Sequence, residues 1–276
     1  MTTHQGTDDV GTTTQPAVLI ERREHALWLK LNRPATLNGI SPEIVAGLDA
    51  GLDQALDDDG VRAVVIAAVG RVFCAGADLT HVLGLDDDSD LDNARNAFVA
   101  RVGETFDRIE SFPKPVIAAP HGLAVAGGLE LILCADIVIA AESAKFGDAH
   151  ANYGLIPGAG GSARLPRRVG LSTAKLLMFT GESFPAAHFA ATDLVAEVVA
   201  DAELESAVQV LVAKLATKSP LGLRQMKELA NLAYEVPSSQ AREIEASRVD
   251  AHGRSEDFAE GIRAFNEKRQ PRFVGR

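Results

Sequence analysis

Residues 116–141, VIAAPHGLAVAGGLELILCADIVIAA, carry the pattern that decides the fold. Two short runs rich in Val, Ile and Ala, Val116–Ala119 and Ile137–Ala141, predict strands that are buried on both faces. Between them, Gly127–Cys134 predicts a short helix. Strands that alternate with helices along a chain are typical of an α/β architecture.

The same alternation extends toward the N-terminus. Ala17–Glu21 and Ala26–Leu31 flank a polar turn and predict a hairpin. Ser41 is placed to cap a helix that begins with Pro and Glu, residues that suit a first turn. Val61–Ala68 predicts another buried strand, and a further helix is expected to end near Ser111. This half of the chain therefore also predicts an α/β fold.

The pattern changes beyond Asp201, where helical periodicity dominates. Four helices are predicted there: Ala202–Thr217, Leu221–Tyr234, Ser238–Ala251 and Ser255–Lys268. The N-terminal stretch is rich in Thr, Gly and Asp and lacks an apolar core. We therefore expect three regions: a disordered tail at 1–16, an α/β core at 17–200 and a helical C-terminal region at 201–276.

Composition excludes several classes of function. The chain has 276 residues and a formal net charge of −11, which argues against a general nucleic-acid role. No apolar run approaches the ~20 residues of a membrane helix, so no membrane association is expected. The two cysteines, Cys74 and Cys134, stand among apolar or small residues and favour reduced structural thiols. A cytoplasmic location is the expectation.

Three segments contain residues suited to chemistry. The first, Arg71–Asp78, has small residues that let a ligand approach the backbone, although a plain strand-to-loop turn would explain it too. The second, His121–Glu130, places Gly127 at a helix N-terminus, whose free N–H groups suit an oxyanion. Glu130 would lie on the first turn of that helix, either as a functional carboxylate or as an exposed residue that complements the helix dipole.

The third segment, Phe146–Gly161, contains His150 and a glycine-rich stretch. Asp148 is near His150 in sequence and could orient its imidazole, although residues two apart on a strand or loop need not touch. The glycine spacing imitates a dinucleotide-binding fingerprint, but no clean strand-to-helix turn and no ribose-binding acid accompany it. A loop that shapes the backbone is the better interpretation. A histidine with no further context is more often a core or loop residue than a catalytic one, and His121 is interpreted as a core or loop residue.

Together these segments resemble the crotonase family, also called the enoyl-CoA hydratase/isomerase superfamily. The matching stretches run in order from about residue 17 to the C-terminus: Leu31–Pro34 with Leu37-Asn38, Phe73–Asp78, Gly127–Leu131, Phe146-Gly147, Gly154–Gly161, Arg164–Pro166, Ser255–Asp257, Glu260-Gly261, Ala264-Phe265 and Lys268-Arg269. The resemblance implies a spiral of ββα units with a helical C-terminal trimerisation region, often assembled as a homotrimer or a dimer of trimers.

The resemblance also implies an acyl-CoA substrate, with no metal and no redox cofactor. Two oxyanion-hole N–H groups map onto Ala77 and Gly127, where they would polarise the thioester carbonyl and stabilise an enolate. Candidate CoA-binding residues are Arg33, Ala75, Asp78, Phe265 and Lys268, the last two reaching CoA in a neighbouring subunit. Residues 81–96 are expected to shape the acyl end of the pocket.

Glu130 stands where hydratases that resemble this chain keep one catalytic glutamate, whereas His150 replaces the other. The leading hypothesis is a hydratase-like lyase of fatty-acid metabolism that acts on a 2-enoyl-CoA, with Glu130 as acid/base and His150 as its partner. Thioester or carbon–carbon bond hydrolysis with His150 as base is an alternative, as is isomerisation. A non-catalytic acyl-CoA-binding protein is the third.

Overall fold

The structure is a computed structural model that describes residues 15–78 and 90–276. In these residues the strands are β1 Val18–Arg23, β2 Ala26–Leu31, β3 Ala63–Ala68, β4 Val116–Ala118, β5 Leu123–Val125, β6 Ile137–Ala141, β7 Lys145–Gly147, β8 Ser183–Pro185 and β9 Glu197–Val199. The helices are α1 Pro42–Asp57, α2 Asp90–Glu110, α3 Gly127–Leu133, α4 Gly161–Val169, α5 Leu171–Thr180, α6 Leu204–Ala216, α7 Pro220–Leu232, α8 Ser238–His252 and α9 Glu256–Glu267. Short 3-10 helices connect several of these elements.

The strands form two sheets. The larger has the order β1-β2-β3-β4-β6-β9, parallel except for the β1–β2 hairpin, and the smaller has the order β5-β7-β8. Successive units place one strand in each sheet before a helix, as in β4-β5-α3 and β6-β7-α4. The predicted α/β fold of ββα units followed by a helical C-terminal region is present.

Alternate residues of the large sheet point into two different cores, as the period of a strand requires. Leu27, Leu29 and Leu31 of β2 lie in the main core, whereas Trp28 lies in a second core. The second core is closed by α6. Because both faces are covered, the parallel strands are apolar throughout, which is the pattern that predicted them.

The N-terminal half matches its predictions closely. The hairpin forms, with β1 extending two residues beyond Glu21 and with Glu24 in a left-handed turn conformation. Ser41 caps α1 and accepts a hydrogen bond from the Ile44 N–H. The predicted loop Asp86–Asp92 falls partly outside the described residues, and its last three residues, 90–92, belong to α2 instead.

All four predicted C-terminal helices are present as α6 to α9. The secondary structure changes near residue 201, but α6 packs against the sheet. The predicted division into a core at 17–200 and a helical region at 201–276 therefore stays a prediction, and residues 1–14 of the predicted tail lie outside the described residues. Within the described ranges, no helix combines the length and apolar character needed to cross a bilayer.

Candidate active site

The register of the small sheet brings the three predicted segments together. β5 runs parallel to β7 with Val125 opposite Gly147, so the residues that follow these strands emerge side by side. A parallel bridge between Cys74 and Ala124 places the 74–77 segment along the other side of β5. Ala77 lies three residues after Cys74, and Gly127 lies three residues after Ala124. Because the two segments run parallel, Ala77 and Gly127 lie next to each other.

Ala77 and Gly127 present backbone N–H groups that are free within the described part of the chain. Neither amide donates to an acceptor there. The backbone on both sides of Ala77 is paired with Ile40 instead, because Ile40 N donates to Gly76 O and Asp78 N donates to Ile40 O. A Cβ built on Gly127 would lie 3.6 Å from Ala77 N, and one built on Gly76 would lie 3.5 Å from Gly127 N. Two unpaired donors this close together form a candidate oxyanion hole.

Ala126 holds an unusual backbone conformation immediately before Gly127. Its φ of 49° and ψ of −121° lie in a region that L-residues rarely adopt and that costs about 1–3 kcal/mol. The ψ angle of Ala126 sets the direction of the Gly127 N–H. Ala126 N is in turn fixed by its hydrogen bond to Gly147 O, at 3.1 Å. The sheet therefore stabilises a strained turn that aims one oxyanion donor.

Glu130 lies on the first turn of α3 and is buried, with 4% of its surface exposed. The interpretation of Glu130 as an exposed residue that complements the helix dipole is therefore wrong. Its Oε1 accepts hydrogen bonds from the backbone N–H groups of Ala159 and Gly161, at 2.8 and 2.9 Å. These two bonds fix the carboxylate and leave Oε2 directed toward His150.

His150 opens a 3-10 helix directly after β7, and Ala149 before it adopts a left-handed conformation. Its Nε2 lies 4.0 Å from Glu130 Oε2, and its Nδ1 lies 3.1 Å from Asp148 Oδ1. Asp148 is buried, with 2% of its surface exposed. The imidazole therefore lies between two buried carboxylates, one on each ring nitrogen.

This environment changes the proton affinity of His150. Burial lowers the pKa of the imidazole, but the hydrogen bond and charge of Asp148 and the charge of Glu130 outweigh it, and the net effect raises the pKa. An imidazole with a raised pKa beside a fixed carboxylate can move a proton at neutral pH. Acid–base chemistry next to an oxyanion hole is therefore what this site can perform.

Comparison with known proteins agrees with this geometry. A family model described as enoyl-CoA hydratase/isomerase matches residues 21–276. The chain belongs to this family. A probable enoyl-CoA hydratase of Bacillus subtilis is 42% identical over 249 residues, covering 88% of this chain and 93% of the relative. The 2,3-dehydroadipyl-CoA hydratase of Escherichia coli is 36% identical, over 94% of this chain and 99% of that protein.

Solved structures of the enoyl-CoA hydratase/isomerase family share the fold. The enoyl-CoA hydratase of Bacillus anthracis superposes with a TM-score of 0.88 at 33% identity, covering 94% of this chain and 100% of that chain. An enoyl-CoA hydratase of Mycobacterium smegmatis gives 0.86 at 31% identity, with 94% and 99% covered. The predicted family is thus confirmed, and the chain is an enzyme of the hydratase-like, acyl-CoA type.

The predicted CoA-binding residues of this family fall into two groups. Ala75 and Asp78 flank Ala77 in the sequence. Arg33 is held beside them, because its Nη1 donates to Asp78 Oδ2 at 2.9 Å and Ala75 N donates to Leu37 O in the turn that follows Arg33. Asp78 is buried, whereas 27% of the Arg33 side chain is exposed. The buried carboxylate of Asp78 therefore holds the guanidinium at the surface near the oxyanion hole.

Phe265 and Lys268 lie near the end of α9. Phe265 is 82% exposed, so its ring is not packed against Glu130 or His150 of the same chain. Lys268 adopts a left-handed conformation that ends the helix. The predicted contact of these two residues with CoA in a neighbouring subunit stays a prediction.

Two positioning features were missed from the sequence. The first is the pair of backbone amides of Ala159 and Gly161, which hold Glu130. The glycine-rich loop that contains them is visible in the sequence, but the sequence predicts for it only a role in shaping the backbone. The second is Asn38, which is fully buried and whose Nδ2 donates to Val69 O and Val72 O. Asn38 thereby ties the 33–38 turn to the start of the oxyanion segment.

A cavity lies on the far side of the glycine-rich loop that holds Glu130. It has a volume of about 830 Å³ and is lined by side chains of both charges, including Arg164, Lys227 and Glu110. Ala159 and Gly160 border it, but Glu130 and His150 do not. In the described residues, no cluster of three or more His, Cys, Asp or Glu side chains is arranged to hold a metal ion.

Proposed function

We propose that this enzyme hydrates a 2-enoyl-CoA to the 3-hydroxyacyl-CoA through Glu130 and His150. The observation that carries the proposal is the 4.0 Å approach of Glu130 Oε2 and His150 Nε2 beside the free amides of Ala77 and Gly127. Hydration needs both features: groups that handle the protons of water, and donors that stabilise the enolate formed when hydroxide adds to the β-carbon.

The oxyanion hole would bind the thioester oxygen. When hydroxide adds to the β-carbon, the electron pair of the double bond moves toward that oxygen, where Ala77 N–H and Gly127 N–H stabilise the charge. A donor of this kind contributes about 3–4 kcal/mol to lowering the barrier. The strained Ala126 turn supports this role because it fixes the direction of the Gly127 N–H before substrate binds.

Glu130 and His150 would hold one water between them. A separation of 4.0 Å exceeds a direct hydrogen bond and suits a water that contacts both atoms. Two glutamates would perform this task in the hydratases that the chain resembles. The imidazole of His150 replaces one of them and supplies a proton-exchanging nitrogen at the same position.

The rest of the proposal concerns assembly and surroundings. The enzyme would use no cofactor beyond the CoA of its substrate and would assemble as a homotrimer or a dimer of trimers, placing Phe265 and Lys268 on the CoA of a neighbouring subunit. The exposure of Phe265 and of Ile262, at 82% and 53%, supports an interface on α9. The two free, buried cysteines support a cytoplasmic location.

The test is a panel of straight, branched and dicarboxylic 2-enoyl-CoAs. Loss of the absorbance of the conjugated thioester, with a product heavier by one water in mass spectrometry, is the expected result for at least one substrate. Release of free CoA without hydration would instead show thioester hydrolysis. No turnover of any substrate, with acyl-CoA binding retained in calorimetry, would also overturn the proposal.

A further inference from the structure

Asp148 is a buried carboxylate whose partners in the described chain all belong to His150. Its Oδ1 lies 3.1 Å from His150 Nδ1 and accepts from the His150 backbone N–H at 3.3 Å. No Lys or Arg in the described residues forms an ion pair with Asp148. Burying a carboxylate without a counter-charge is costly, so the imidazole is the group that compensates for this burial.

The surroundings of His150 contain a second carboxylate and no competing cation in contact. Glu130 approaches from α3, with Oε2 at 4.0 Å from Nε2. Helix α5 packs against the 3-10 helix that carries His150, and its one charged residue, Lys175, is exposed and forms no ion pair with Asp148 or Glu130 in the described residues. Two buried carboxylates on one imidazole favour its doubly protonated form.

We infer that Asp148 is a positioning residue that keeps His150 as an imidazolium, so that His150 acts as the acid and Glu130 as the base. This inference rests on the proposed hydration. The hydrogen bond to Asp148 takes the Nδ1 proton, which leaves the Nε2 proton directed toward the water and the α-carbon. Neither the family model nor the relatives' names assign a role to Asp148.

The proton and electron movements balance under this assignment. Glu130 takes one proton from water, and the hydroxide oxygen bonds to the β-carbon. The electron pair of the double bond passes to the enolate held by the oxyanion hole, and returns to the α-carbon as that carbon takes the Nε2 proton of His150. Glu130 then passes its proton to His150 Nε2, which restores the resting site.

The inference is tested without substrate by NMR of the full-length protein carrying ¹⁵N-labelled histidine. The signals of His150 are identified among those of the seven histidines by their loss in His150→Gln. We expect both ring nitrogens of His150 to be protonated near neutral pH, and we expect Asp148→Asn to lower the pKa of His150, because it removes the charge that favours the imidazolium. An unchanged His150 pKa in Asp148→Asn, or a neutral His150 near pH 7, would overturn the inference.

Kinetics give the second readout. Because the acid form of His150 is required, the kcat of the wild type should fall on the alkaline side, and Asp148→Asn should move this fall to lower pH. At pH above about 7 the variant should lose about 10- to 100-fold in kcat with little change in KM. The assignment would be contradicted if kcat of Asp148→Asn were lower by the same factor at every pH, with its alkaline fall at the same pH as in the wild type.

A matched control separates this role from a structural one. Asp257 is also a buried carboxylate, but it bonds to Ser219 and to the backbone of residues 274 and 275. Asp257→Asn should lower thermal stability and leave the pH profile unmoved. Failure of the proposed hydration would be seen separately, as absence of turnover by the wild type, because the NMR titration needs no substrate.

Discussion

Glu130 Oε2 and His150 Nε2 face each other at 4.0 Å, although the two residues belong to different units of the spiral. Glu130 is fixed through its other oxygen by two backbone amides, and His150 is fixed through its other nitrogen by Asp148. Each reactive atom therefore belongs to a group whose other polar atom is already bound, by backbone amides for Glu130 and by the Asp148 side chain for His150.

Replacing the Glu130 carboxylate by an amide should remove the base and keep the shape. In Glu130→Gln the amide oxygen can still accept from Ala159 and Gly161, while its NH₂ faces His150 and cannot take a proton from water. We expect kcat for 2-enoyl-CoA hydration to fall about 10²- to 10⁴-fold. Stopped-flow or steady-state absorbance measures this loss. Exposed Glu142→Gln is the control, and a Glu130→Gln enzyme within about tenfold of the wild type would contradict the role.

The backbone amide of Gly161 holds Glu130, and the space beside Gly161 is too small for a side chain. A Cβ there would lie 3.0 Å from both Glu130 Oε1 and Pro157 Cβ. Gly161→Ala is expected to displace the carboxylate and lower kcat by about 10- to 100-fold, which is ~1.4–2.7 kcal/mol of activation free energy. Gly103→Ala is the matched control, since Gly103 lies in α2 with no atom within 4 Å of its Cβ position. Equal kcat for the two variants would refute this explanation.

The strain at Ala126 predicts opposite effects on stability and rate. Glycine adopts the φ of 49° at little cost, so Ala126→Gly should raise the free energy of unfolding by about 1 kcal/mol. The same freedom should misdirect the Gly127 N–H and lower kcat about tenfold. Urea unfolding and steady-state kinetics measure the two effects. Ala124→Gly is the control, because Ala124 lies in the extended strand β5 and its replacement should lower the free energy of unfolding. A lower free energy of unfolding in Ala126→Gly too would show that the turn is not strained.

His150 should make stability depend on pH. Burial lowers its pKa, but Asp148 and Glu130 raise it overall, so the folded value exceeds the unperturbed value of ~6.5. The stabilisation is full below the unfolded pKa and is lost as pH rises through the folded pKa. The difference in unfolding free energy between wild type and His150→Gln should thus be larger at about pH 6 than at about pH 9. A difference that grew with pH would contradict this sign.

The thiols should be unreactive while the protein is folded. Cys74 and Cys134 are free and buried, and burial raises the pKa of each to about 12. Because the thiolate is the reactive form, a thiol-reactive dye should label neither residue at mildly alkaline pH. Both should react after denaturation in the absence of reductant. Failure to label the denatured protein would indicate a disulfide.

Local sequence patterns predicted most of the elements because their signals are local. Ser41 with Pro42 and Glu43 marks the start of α1, and the continuous apolar runs mark strands covered on both faces. The small sheet was harder, because β5, β7 and β8 have three residues each and carry little periodicity. Its existence depends on pairing between distant segments, which one sequence does not reveal.

The site was predictable in its residues but not in its contacts. Glu130 and His150 were identified by their place in ordered motifs. Glu130 is held by the backbone N–H groups of Ala159 and Gly161. Nearly every residue carries such a group, so no pattern of side chains in the sequence indicates which ones bind Glu130. The pairing of Arg33 with Asp78 was missed for a related reason, because both had been assigned separately to CoA. Family resemblance located the residues, and the fold supplied their partners.

A crystal structure of Glu130→Gln with a bound 2-enoyl-CoA would show whether the oxyanion hole and the pair of residues 130 and 150 act on the same substrate. We expect the thioester oxygen to accept hydrogen bonds from Ala77 N and Gly127 N, with the α- and β-carbons next to His150 and residue 130. A water between these two side chains, positioned toward the β-carbon, should be visible. A thioester oxygen turned away from the two amides, or reacting carbons outside reach of both side chains, would contradict the account.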